Sequence, residues 1–440
     1  MNIYPNSKIT IGYSSLAFLL GVLFLFIQVK YPACCDANQY AELGKLYAEK
    51  SIIGVSSDAA VRTYFYPLII GYFYRASVFL QLPLTIVVFL SQFALYIYAV
   101  NKLISVVNTE SPILRVVHAA LIFNLFAYPF FSLTLTDSIY NSLVILWLYA
   151  MIRISNTVGK TIPTEHFLTV IGLPGLLSSI IFVVRPAGLW VFATMLIMYV
   201  WIFFQTPSWK DRVVLLSVLA GCVALPLIPQ VYINMVNYGR VTPFPTFDLG
   251  SAQIQWGIEY IKYGTYLGGG DPQMFYRNPF YESGQGLGWY FQNPFSAVGT
   301  MLIKLVGAFD YDYLFPYIYD KKPWYGWLSG MASIIIFFLG MWGVVVHAFR
   351  SDQTILRIGP KLFPLISFLT WSGVSLASAV ELRFTLPMYA LLLPLTVERM
   401  FFLYRQRQSS GVLIKTWPVL AMFLLLICIA AYVRKQNILY

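Results

Sequence analysis

The chain has 440 residues, of which 59% are apolar, 18% aromatic and only 11% charged, and its formal net charge is +11. A soluble domain carries roughly a quarter charged residues, so this composition excludes a water-soluble globular protein and points to a polytopic membrane protein. The four cysteines have no metal spacing, and the basic excess is not gathered into a patch of the kind that binds nucleic acid.

In chain order, the first apolar run, 9–29, is too long for a cleavable signal core and lacks a small-x-small cleavage site, so it is expected to remain as a span. It is followed by "PACCDANQYAELGKLYAEK", Pro32 to Lys50. Cys34 and Cys35 are adjacent, which allows a strained vicinal disulfide, although two free thiols are the expected state. From Asp36 onward, Ala37, Tyr40, Ala41, Gly44, Tyr47 and Ala48 fall on one helical face and Asn38, Glu42, Lys45 and Glu49 on the other. With such modest apolar bulk, the segment is expected to lie in the membrane interface rather than cross it. "VRTYFYPLIIGYFYRASVF", Val61 to Phe79, brings Arg62 and Tyr66 and reads as a second aromatic, surface-hugging element.

Spans are expected at 83–106, 112–131, 137–153, 166–184, 187–205 and 213–234. Their connectors include "LTLTDS", carrying Asp137, and "VVRPAGL", carrying Arg185. "NYGRVTPFP", with Tyr238 and Arg240, then opens a large loop, 235–325. Its stretch Tyr260 to Pro294 is rich in Gly, Tyr, Phe and Trp, suited either to stacking on sugar rings or to packing its own aromatics over the span ends. The triple glycine Gly268 to Gly270 is not a phosphate loop, because no Gly-Lys-Ser/Thr follows it. "NPFSAVGTMLIKLVGAFDYDYLF", Asn293 to Phe315, is apolar enough to pass for a span, but Lys304 at its centre favours a surface helix. The last four spans are expected at 326–347, 362–379, 383–403 and 412–433, with Glu381 and Arg383 of "AVELRF" at the mouth of the tenth.

Eleven spans with a cytoplasmic N-terminus put 14 basic and 5 acidic residues on the inner side, and the outer side is close to neutral. The net charge is therefore mostly an orientation signal. The same topology delivers Asp36, Asp137, Arg185, Glu381 and Arg383 to one outer face from separate connectors. Taken singly, each has a plain structural explanation. Asp36 and Asp137 suit helix N-caps, Arg185 can snorkel, and Glu381 can pair with Arg383. Together they put rare ionisable groups beside hydrocarbon, where charge is costly and usually functional.

The ordered set "CDANQY", "RTYFYP", "TLTDS", "RPAGL", "NYGRVTPFP" and "ELRFTLPMYALLLPL" resembles the GT-C superfamily of integral-membrane glycosyltransferases. The resemblance is to the protein O-mannosyltransferase and lipid A aminoarabinose transferase type, and it covers nearly the whole chain. It implies an all-α membrane fold of about eleven spans, with amphipathic helices in a first outer loop, 30–82, and a large outer loop at 235–325. It also implies transfer of a sugar from a polyprenyl-phosphate donor to a lipid, glycan or protein acceptor on the periplasmic face of a bacterial inner membrane, with inversion. Asp36 would be the general base, helped by Asp137. Arg62, Arg185 and Arg383 would hold the donor phosphate, since guanidinium forks suit phosphate. Tyr66, Tyr238, Arg240 and Glu381 would line the substrate site. A divalent Mg or Mn shared by Asp36 and Asp137 stays open. The chain departs from the mannosyl branch in having Ala37 where that branch has a second acid, and it ends about seven residues past the eleventh span, as in a stripped envelope glycosyltransferase. The alternatives are a polysaccharide polymerase or O-antigen ligase, and a lipid-linked sugar flippase.

Overall fold

The computed structural model describes residues 7–31, 33, 35–50, 62–156, 168–206, 208–245, 249–264, 274–311, 314–317, 326–349, 356, 358–406 and 412–439. Cys34, His166, the triple glycine and the cations Lys160, Arg350, Arg357 and Arg407, expected on the inner side, lie outside them.

The chain runs α1 (Ser7–Gln28), α2 (Asp36–Lys50), α3 (Phe65–Leu80), α4 (Leu84–Ile104), α5 (Ser111–Ile122), α6 (Thr136–Ser155), α7 (Leu173–Val184), α8 (Leu189–Gln205) and α9 (Trp209–Tyr238). The large loop follows with α10 (Leu249–Glu259), strands β1 (Tyr260–Gly264) and β2 (Met274–Arg277), α11 (Gly288–Gln292) and α12 (Pro294–Phe309). Then come α13 (Gly326–Phe349), α14 (Phe363–Leu376), α15 (Leu386–Gln406), α16 (Val412–Lys435) and β3 (Asn437–Leu439).

Helices occupy all eleven expected span positions. Helix is the natural outcome, because backbone polar groups in hydrocarbon must be satisfied within the segment. Among the described residues, seven helical stretches are long and apolar enough to cross a membrane: Thr10–Gln28, Leu84–Ile104, Thr136–Ser155, Pro186–Gln205, Trp209–Tyr238, Gly326–Phe349 and Leu382–Arg405. The chain is an integral membrane protein. α16 has 24 residues, whereas α5, α7 and α14 are shorter than a full span. After α5 the chain turns through a 3-10 segment, Tyr128–Ser132, whose residues are all buried. Irregular backbone at this depth is tolerated only when enclosed by protein.

α13 packs on α15, α2 on α3, α4 on α6 and α7 on α9. The α2–α3 contact is close: a Cβ on Gly44 would collide with Ile70, and one on Gly71 would stand 3.0 Å from the Gly44 carbonyl. α2 buries Ala37, Tyr40, Leu43, Gly44 and Tyr47 and exposes Asn38, Glu42, Lys45 and Glu49, the amphipathic division expected from sequence. Leu43 joins the buried face as well. α12 likewise exposes Phe295, Val298 and Leu302 and buries Ala297, Thr300, Ile303 and Lys304.

Two features were not anticipated. β1, β2 and β3 form an antiparallel three-stranded sheet in that order, so the segment after α16 pairs with the large loop. Beside it, Arg434 donates to both Asp310 oxygens at 2.8 and 2.6 Å, and Lys262 donates to the Asp310 carbonyl at 2.7 Å. The second is a correction. Cys35 is disulfide-bonded rather than a free thiol, while Cys222 and Cys428 are free. Cys35 has φ 55°, a left-handed turn immediately before α2.

Candidate functional site

Asp36 opens α2 and Asp137 lies in the first turn of α6. A side-chain to backbone clip brings them to one place: Thr134 Oγ1 donates to the Ala37 carbonyl at 2.7 Å. Gln92 of α4 fixes the same approach to α6 by donating to the Leu133 carbonyl at 3.0 Å. Arg62 precedes α3, and its segment is held by α9. Gln230 accepts from the Tyr64 amide at 2.8 Å, and Tyr64 Oη donates to the Pro226 carbonyl at 3.0 Å. Arg185 stands at the C-terminal end of α7, and Arg383 lies in the 3-10 turn Leu382–Thr385 that leads into α15.

These five segments converge on one ionic cluster. Arg62 Nη2 donates to Asp36 Oδ1 at 2.5 Å and to Gln39 Oε1 at 3.0 Å. Arg383 is the hub. It grips both Glu381 oxygens, the Nη2 contact being 2.9 Å, and reaches Asp36 Oδ2 at 3.1 Å and Asp137 Oδ2 at 3.5 Å. Arg185 donates to Asp137 Oδ1. Its guanidinium lies 4.0 Å over the Phe384 ring, and that of Arg62 lies 4.9 Å over Tyr40. Three guanidiniums thus face three carboxyl groups, and the formal charges cancel. Burying each ion alone costs several kcal/mol, so mutual pairing is what permits the arrangement.

The members differ in accessibility. The Asp36 side chain is 34% exposed, against 1% for Asp137 and 7% for Arg383. Burial raises the Asp36 carboxyl, but Arg383 and Arg62 outweigh it and hold it at about 2. Burial pushes the Glu381 carboxyl up from its ordinary value even though Arg383 pulls it down. The two aspartates engage arginines with their carboxylates instead of capping their own helices, and Arg185 pairs rather than snorkels.

The cluster gathers Asp36, Asp137, Arg62, Arg185, Glu381 and Arg383. Tyr66 is fully buried and packs edge-on to Tyr40 at 4.9 Å between centroids. Tyr238 closes α9 and Arg240 follows its glycine cap. Tyr238 neighbours Tyr47, and Arg240 is exposed. The start of the large loop is fixed there by Asn234, which donates to the Thr242 and Phe244 carbonyls at 2.6 and 2.7 Å. Gln39, Phe384 and Thr134 were missed in the sequence. Gln39 lies one helical turn after Asp36 and Phe384 directly follows Arg383, whereas nothing local marks Thr134.

A divalent ion does not fit this arrangement. Both oxygens of each aspartate already face guanidiniums, so a cation there would meet three positive groups. Among the described residues, no group of three His, Cys, Asp or Glu is arranged to hold a metal.

The cluster also occupies a defined depth. Arg383 stands just before α15 and Arg405 near its end, where Arg405 pairs with Glu110. That separation, at 1.5 Å per residue, is about 33 Å, close to the hydrocarbon thickness of a bilayer. The fold and the cluster define a polytopic helical membrane protein with an ionic centre at the start of α15.

No protein-family model matches the chain, and no curated protein matches it. Among solved structures it is similar to the archaeal oligosaccharyltransferase AglB from Archaeoglobus fulgidus, in complex with an inhibitory peptide and a dolichol-phosphate. The sequence identity is 12% and the TM-score 0.46, over 96% of this chain and 54% of that one. The chain thus spans about half the length of that protein, and a likeness this loose carries no functional weight.

Proposed function

We propose that the protein is a membrane glycosyltransferase of the GT-C type that moves a sugar from a polyprenyl-phosphate donor to an acceptor at the outer membrane boundary. The observation that carries this is the ionic cluster itself, a one-third-exposed Asp36 flanked by Arg62 and Arg383. In the proposed reaction the acceptor hydroxyl oxygen attacks the anomeric carbon as the bond to the donor phosphate breaks. Asp36 takes the hydroxyl proton, the phosphate leaves with the bonding electron pair, and the configuration inverts. Of the two aspartates only Asp36 is accessible to an acceptor, so Asp137 is assigned to orienting Arg185 and Arg383.

A carboxylate held at about 2 is a weak base while both arginines grip it. General-base catalysis works best with a pKa near the working pH. A donor phosphate recruiting Arg62 and Arg383 would loosen that grip and raise Asp36 when substrate is in place. The sugar, the prenyl chain and the bacterial periplasmic setting belong to the same proposal, which the residue motifs support. Lipid extracted from the purified protein tests it. Mass spectrometry is expected to find a polyprenyl-phosphate sugar, and wild-type protein that binds none of a panel of prenyl-phosphate sugars would refute the proposal.

A further inference from the structure

Outside the ionic cluster, the large loop grips one short stretch of backbone, the turn between α14 and Glu381. The Ala379 amide donates to the Gln253 carbonyl of α10 at 2.7 Å. Tyr290 Oη of α11 donates to the Ala377 carbonyl at 3.3 Å. Lys304 of α12 spans both sides, its Nζ donating to the Gly257 carbonyl at 2.8 Å and to the Ser378 carbonyl at 2.7 Å. Lys304 is fully buried, and both of these partners are neutral carbonyls. An ammonium in such a place is expensive, and an apolar side chain of the same length would fill it without that cost. The two backbones also touch: a Cβ on Gly257 would come within 2.5 Å of the Ser378 carbonyl carbon and 2.9 Å of the Ala379 nitrogen.

Three residues beyond Ser378 stands Glu381, whose carboxylate grips Arg383. The placement of the cluster's hub is therefore continuous in the chain with the stretch that Lys304 clamps. We infer that Lys304 is a positioning residue that couples the large loop to the ionic cluster by fixing the 378–381 turn, and with it Arg383. Its catalytic consequence rests on the glycosyltransferase proposal, while its structural consequence does not. Displacement of the large loop reaches Arg383 through this clamp, so the loop's state and the hub's alignment are linked.

Two variants test this. Lys304→Met keeps the side-chain length and removes the donors, whereas Gly257→Ala wedges the loop from the turn and leaves Lys304 intact. Hydrogen exchange of the full-length protein is expected to quicken about tenfold over residues 377–385 in both, with α4 and α6 unchanged. Unchanged exchange over 377–385 in both variants would overturn the inference, and that readout needs no enzyme assay. In transfer assays on folded protein, kcat is expected to fall about ten- to a hundredfold with donor KM within about twofold, since small misplacements are costly to the chemical step. Lys304→Arg, which keeps donors, is expected to recover part of it. Quickened exchange with kcat unchanged would refute the coupling. Quickened exchange in a protein whose wild type transfers no sugar would support the clamp and refute the proposed function instead.

Discussion

Replacing Arg383 by methionine perturbs the cluster at its hub. Arg383 is nearly buried and joins Glu381, Asp36 and Asp137. Removing one member of a buried, hydrogen-bonded ion pair costs about 3–5 kcal/mol, because the partner is left charged and unpaired. The most affected partner is Glu381, since Asp36 keeps Arg62 and Asp137 keeps Arg185. Adding Glu381→Met restores the balance of cations and carboxylates, and the double variant is expected to recover at least about 2 kcal/mol of the loss. The pH dependence follows the same logic. Burial already raises the folded Glu381 carboxyl, and loss of Arg383 removes the opposing pull. A carboxyl whose folded pKa lies above its unfolded value destabilises the fold at higher pH, and that loss is regained as pH falls through the raised value. Arg383→Met is therefore expected to close much of its gap to wild type as pH falls through that raised value, and the double variant is not. Thermal unfolding in detergent, followed by tryptophan fluorescence, reads both effects. Additive losses in the double variant, with no acid recovery in the single one, would refute the charge-balance account.

Arg62→Ala and Arg185→Ala are each expected to weaken donor-lipid binding by about 1.5–3 kcal/mol, the size of a charge-assisted hydrogen bond. Lysine at either position should restore only part of this, because the fork is lost. Titration with a prenyl-phosphate sugar measures it, and unchanged affinity in both alanine variants would remove the phosphate assignment. Gly44→Val should separate α2 from α3 at the Ile70 contact and cost about 1–3 kcal/mol through overpacking, seen as a lowered Tm. An unaltered Tm would mean that the helices do not pack this closely. Cysteine at Ser283 should label with an impermeant reagent from outside the cell and cysteine at Asn108 should not. The reverse pattern would invert the proposed orientation.

Much of this was legible from residue pattern alone. The helices follow from apolar runs, because hydrocarbon leaves the backbone no alternative. The convergence of Asp36, Asp137, Arg185, Glu381 and Arg383 followed from counting which connectors share a membrane face. Arg62 precedes α3, which packs on α2, and so meets Asp36 at the start of α2. What pattern did not reveal depends on distant contacts. The sheet joins β3 to the loop across more than 150 residues, and its strands are too short to show a period. Lys304 suggested a water-facing position, yet it is buried against two carbonyls that no local signal announces. Tyr238 closes α9 and neighbours Tyr47.

The most direct test of the central claim is the Asp36→Asn variant, assayed for both donor binding and sugar transfer. Asparagine keeps the size and one acceptor oxygen, so one of Arg62 and Arg383 retains its hydrogen-bonding partner while the amide NH2 faces the other. It is unable to take the acceptor's proton, and loss of a general base costs about 10²–10⁴ in rate. The account predicts folded protein that binds a polyprenyl-phosphate sugar as tightly as wild type, or more tightly, since the freed arginines no longer face a full negative charge, with transfer reduced at least about a hundredfold. Transfer within a few-fold of wild type would contradict it, leaving Asp36 a structural partner of Arg62 and Arg383 and the base elsewhere.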